Sequence, residues 1–94
     1  MGTVTATTTP KYTRHFTPAV GRRVHYMSHG TPGGEYPSTC RAAIITAIHP
    51  AEETDNGVAL MDLCILNPEG MFFNLGVRQD EAHTGGTWHI PENL

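Results

Sequence analysis

Ninety-four residues, 38% apolar and 16% charged, make one small domain that buries only about 60 to 65% of its unfolded surface, which excludes a two-lobed enzyme. Ten glycines, seven prolines and abundant threonine point to strands and turns, and two cysteines are too few for a disulfide scaffold. The net charge of −3 is uneven: Lys11, Arg14, Arg22 and Arg23 stand among the first 23 residues without an acid, whereas from Val24 onward two arginines oppose nine acids and leave −7.

Residues 1–23 lack a stable apolar period, and Pro10 and Pro18 block a helix. They are expected to form an extended basic arm. The domain proper is expected over 24–94. Its first strand is expected in RRVHYMSH, where Val24 and Tyr26 share one face and His25, Met27 and His29 the other. GTPGGEYPSTC over 30–40 lacks the order of a phosphate loop, and no helix opens behind it. It is expected to be a connector whose glycines supply backbone angles.

TCRAAIITAIH, with small and β-branched residues on both faces, predicts a central strand. Asn56-Gly57 turns the chain back, and VALMDLCILN follows as a third strand. Asp62 falls on the face of Val58, Leu60, Cys64 and Leu66, so a bulge or an edge is expected beside it. Asn67-Pro68-Glu69-Gly70 reads as a type I turn leading straight into MFFNLGV, and TWHIP is a short closing strand. The predicted fold is all-β: a small antiparallel barrel or meander of about five strands, SH3-like or OB-like, with an extended N-terminal arm.

Six histidines raise the question of metal. His25 and His29 would share a strand face but stand about 13 Å apart, beyond the reach of one ion. Cys40 and Cys64 on neighbouring strands, with His83 or His89, would make a Cys2His2 set, but no C-x-x-C knuckle supports it. Folding β2 and β3 about Asn56-Gly57 makes paired residue numbers sum to 107, which sets Cys64 opposite Ala43 and Cys40 opposite Asn67. Two buried free thiols are therefore expected, with no metal and no cofactor. Neither Ser28 nor Ser38 lies in a nucleophile motif, so the chain reads as a non-enzyme.

Two segments, HGTPGGEYP from His29 and HTGGTWHIP from His83, repeat the order His, Gly-Gly, aromatic, Pro. If the first and last strands meet, Tyr36 and Trp88 would share an aromatic rim, or simply cap the ends of the barrel. Lys11, Tyr12, Arg14, Phe16, Arg22 and Arg23 interleave cations with aromatics along the arm. With Tyr36 and Trp88 they form the expected interface. The acidic body disfavours nucleic acid. No apolar run approaches the roughly 20 residues of a membrane span, and no apolar h-region follows Met1.

VHYMSHGTPGGEYPSTCRAAI, CILNPEGMFFN and GGTWHIPE, which together mark out residues 24–92, resemble the blocks of a small-protein family of actinobacteria and of the phages that infect them. The resemblance carries over no catalytic or ligand residue. It implies a setting: a virion component, such as a capsid decoration or minor head or tail accessory protein, that binds a major virion protein and its own copies through the arm. The alternative expectation is a free cytoplasmic binding module, regulatory or anti-defence, that recognises a small molecule or a host protein.

Overall fold

The structure is a computed structural model that describes residues 16–33 and 37–92. It is all-β, with five strands: β1 (Arg23–Met27), β2 (Cys40–His49), β3 (Leu60–Asn67), β4 (Gly70–Val77) and β5 (Trp88–His89). They form one antiparallel sheet in the order β4-β3-β2-β1-β5. This is the meander of the two expected forms, because the named strands do not close into a barrel. A lone parallel bridge from Gln79 to Trp88 links the stretch after β4 to β5.

One face of the sheet is the core. Val24, Tyr26, Ala43, Ile45, Met61, Leu63, Ile65, Val77 and Trp88 are buried on it. Alternation along each strand sets this face, as period-two patterning requires. Asn74 Nδ2 donates to the Tyr26 hydroxyl at 2.8 Å, although β4 and β1 are three strand spacings, about 14 Å, apart in a flat sheet. The sheet therefore curls strongly around its core face.

Two bulges meet at Asp62. On β2 the register shifts between Ile45 and Ala47, which leaves Thr46 as the extra residue. On β4 two residues, Leu75 and Gly76, oppose Asp62 alone. Each bulge switches the faces beyond it. Ile48 thereby packs against the core although it alternates with Ile44, and Val77 becomes buried three residues after core-facing Asn74. Asp62 holds the junction: its Oδ1 accepts from Gly76 N–H at 2.8 Å and pairs with His49 Nε2 at 3.0 Å, while its carbonyl accepts from Thr46 Oγ1. The polar residue that signals a bulge in the sequence stands on the outer face and ties both bulges together.

The expected register between β2 and β3 is corrected. Partners sum to 108 from Ala42 to Ile45 and to 109 beyond Thr46, so Cys64 stands opposite Ile44. The ten-residue loop after β2 contains a 3-10 turn, Ala51–Glu53, and is longer than a tight hairpin about Asn56-Gly57. Between β3 and β4 the hairpin is tight, with Asn67 paired to Gly70. Neither Pro68 nor Glu69 has positive φ, which excludes a primed turn.

The segment before β1 packs inward. Gly21 N–H donates to Ile45 O at 2.7 Å, and Ile45 N–H to Arg22 O at 3.0 Å. Phe16 rests against the core with its ring 6.1 Å from that of Trp88. Packed structure thus begins before Val24. Among the described residues no helix is long and apolar enough to cross a membrane.

Candidate functional site

Sheet register gathers four donor side chains on the outer face. His25 on β1 pairs directly with His89 on β5, and its partner on β2 is Ala42. Cys40, two residues before Ala42, is therefore a diagonal neighbour of His25, within reach of side chains of this length. Glu92 lies three residues beyond His89 and folds back over both histidines. One ligand atom from each of His25, Cys40, His89 and Glu92 lies within 4.8 Å of every other.

The contacts inside the cluster are specific. His25 Nδ1 is 2.9 Å from Glu92 Oε1, and His89 Nε2 is 3.2 Å from Glu92 Oε2. Cys40 Sγ is 3.7 Å from His89 Nε2. His83 stacks on the His89 ring at 3.6 Å between centroids and brings its Nε2 to 3.4 Å from Glu92 Oε2. His83 holds a positive φ of 67°, a conformation non-glycine residues adopt sparingly. The turn that presents it is pinned by Asp80, whose carboxylate accepts from Ala82 N–H and Thr84 Oγ1.

The electrostatics follow from placement. Burial pushes the His89 imidazolium below its ordinary pKa, with the His83 and His25 charges adding and Glu92 and Glu81 opposing. Desolvation raises the Cys40 thiol, and the Glu92 charge raises it further. Glu92 feels burial first, which would raise it; hydrogen bonds from its own backbone and from His25, with the charges of His89 and His25, bring it net below its ordinary value. The cluster thus sets a carboxylate beside imidazole and thiol donors, a donor set suited to a cation.

At the opposite edge the same outer face is apolar. Met71, Phe73 and Leu75 of β4 are 64%, 63% and 76% exposed, and Leu66 and Cys64 of β3 lie beside them. Between Glu69 and Arg78 the edge strand GMFFNLGV carries no charge.

The two sites differ from the expected interface. Trp88 is 1% exposed, which corrects its placement on an aromatic rim: it is a core residue, because its position opposite Tyr26 puts it on the inner face. Phe16 packs beside it, and Arg22 lies over the Phe16 ring at 4.3 Å while donating to Thr17 O. These two residues hold the end of the arm to the domain. Arg23 is exposed on β1. Lys11, Tyr12, Arg14 and Tyr36 lie outside the described residues.

The expected buried thiols are also corrected. Cys40 is exposed and Cys64 half-buried, both on the outer face, and both are free. Cys64 stands opposite Ile44, four residues along β2 from Cys40. His29 does not join His25: its ring lies over Gly86, where an added Cβ would come within 2.4 Å of it. The two histidine–glycine segments therefore meet where His29 lies against Gly85 and Gly86, and just before the first of them Met27 accepts from Gly86 N–H and donates to Thr87 O. Sequence reasoning missed Glu92 and the union of His25 with Cys40. The available signal was parity: a pairing of first and last strands places His25 and His89 on one face.

No protein-family model matches the chain, and neither the curated proteins nor the solved structures contain a match.

Proposed function

We propose that this protein is a non-enzymatic structural binding protein that self-associates by pairing β4 with β4 of a second copy. The observation that carries the reading is the edge that β4 leaves open among the described residues. Edge strands are ordinarily blunted by charges or proline, whereas β4 presents Met71, Phe73 and Leu75 to solvent, with a bulge only at its far end. Antiparallel pairing about a twofold axis is self-complementary. It joins two apolar strips and satisfies the free backbone groups of both edges. A strip without charge offers nothing for a charged partner to recognise.

The non-catalytic reading is supported by how the polar side chains are engaged. Ser38 Oγ donates to Ser28 O, and Ser28 Oγ accepts from Thr39 N–H, so both serines close the base of the β1–β2 loop. The His49–Asp62 pair serves the bulge. In the setting that the resemblance to actinobacterial and phage proteins implies, a self-associating sheet protein of this kind fits a decoration or accessory component of a virion. The arm would supply contacts to the shell. The cytoplasmic-module reading loses Trp88 as a recognition residue, since the core holds it.

Sedimentation equilibrium tests self-association. The expected result is a dimer that Leu75→Lys or Phe73→Lys weakens by roughly 30-fold or more, the factor that corresponds to a hot spot of about 2 kcal/mol. A wild-type chain that stays monomeric at high concentration would overturn the reading. Removal of residues 1–15, which spares the packed Phe16, should leave the dimer and abolish co-sedimentation with shells; unchanged shell binding would count against the role of the arm.

A further inference from the structure

We propose that His25, Cys40, His89 and Glu92 coordinate one zinc-class divalent cation in a closed tetrahedral site that staples β5 and the chain beyond it to β1 and β2. The four donors come from three separate segments, β1, the start of β2, and β5 with the residues just after it, and sheet register brings these segments together. Each ligand atom lies within 4.8 Å of every other, and the two contacts of His89 match the edges of a zinc tetrahedron. With Zn–N and Zn–O near 2.0 Å and Zn–S near 2.3 Å, adjacent ligand atoms stand about 3.3 Å apart for N and O and about 3.6 Å apart for N and S. The His89–Glu92 distance is 3.2 Å and the His89–Cys40 distance 3.7 Å.

The chemistry of the donors selects the ion. Two imidazoles, a thiolate and a carboxylate suit zinc, whereas calcium and magnesium require sets of oxygen. Four protein ligands leave no open position for water, which marks a structural site rather than a hydrolytic one. Glu92 alone, as a hydrogen-bond acceptor, would account for the histidines but not for the thiol. A cation accounts for all four, and its charge favours the thiolate that the metal-free surroundings oppose.

The fold has a use for such a staple. β5 has only two residues, and its pairing to β1 is the shortest ladder in the sheet. Yet it carries the largest core side chain, Trp88. Small domains commonly secure an element of this kind with a metal. His83, stacked on His89, is a positioning residue that fixes the plane of the ligand ring.

The test uses the full chain, reduced and stripped with chelator, titrated first with Co2+ and then with Zn2+. One equivalent of Co2+ should give the intense visible bands of a tetrahedral site and a near-ultraviolet thiolate-to-cobalt charge-transfer band, both displaced by Zn2+. Zn2+ should raise the thermal midpoint. Cys40→Ser, at an exposed position, should keep the circular dichroism of the wild type, lose the charge-transfer band and bind Zn2+ at least about 100-fold more weakly, the upper end of what losing a supporting residue costs. Glu92→Gln should weaken Zn2+ binding while retaining the band, and Cys64→Ser should change neither. A folded wild type that gives no tetrahedral Co2+ spectrum, or a charge-transfer band that survives Cys40→Ser, would overturn the proposal.

Discussion

His25 and His89 face each other in register across β1 and β5, their rings meeting edge-on with centroids 5.7 Å apart. This contact joins residues 64 positions apart in sequence, and it makes the outer face of β5 part of a site while its inner face, through Trp88, completes the core. Two functions of the closing strand thus rest on one short ladder. Trp88 is the element whose loss separates them.

Trp88→Ala should destabilise the domain by about 3 to 5 kcal/mol, the usual cost of deleting a buried large aromatic side chain. Urea unfolding measures this directly. The indole Nε1 has no hydrogen-bond partner among the described residues, so Trp88→Phe breaks none of the described hydrogen bonds and should cost much less. An exposed-rim role predicts instead that Trp88→Ala leaves the urea midpoint unchanged, and that result would remove Trp88 from the core.

Asp62→Ala should cost about 1 to 2 kcal/mol, because it removes a charged acceptor from Gly76 N–H at a site where β2 and β4 both bulge. His49→Ala should cost about 0.5 kcal/mol or less, since that imidazole is 45% exposed. A double-mutant cycle by denaturant titration checks the pair. Equal losses from the two substitutions would mean that the ion pair, rather than the bulge contact, holds the junction.

Asp80 gives a pH dependence of defined sign. The Thr84 hydroxyl first and the Ala82 N–H second hold its carboxyl below its ordinary value; desolvation opposes them, and Arg78 and His83 assist. A carboxyl with a lower pKa in the folded chain contributes stability above its unfolded value of about 3.9, and that contribution disappears as pH falls through the folded value. The thermal midpoint of the wild type should therefore fall more steeply below about pH 4 than that of Asp80→Asn. Parallel curves for the two proteins would show that the turn does not depend on the charge.

The strands were legible because their signal is local. Val24 with Tyr26, the apolar run of β2, and the Asn67-Pro68-Glu69-Gly70 turn each carry their periodicity or turn chemistry within a few residues. Asp62 pointed to a bulge or an edge, since a charged residue within a strand has few accommodations, and the structure has the bulge. The consequence of the bulges, that Ile48 and Val77 turn inward, was not legible. A face switch depends on which of two strands carries the extra residue.

By itself, the sequence determined an all-β chain, the order of its strands along the backbone and the alternation that gives each strand two faces. Only the tertiary structure decided which strands are edges, that Trp88 belongs inside, and that His25, Cys40, His89 and Glu92 meet. The reason is physical. Alternation is fixed residue by residue, but convergence of donors from three distant segments depends on register and curl, which the whole sheet sets together.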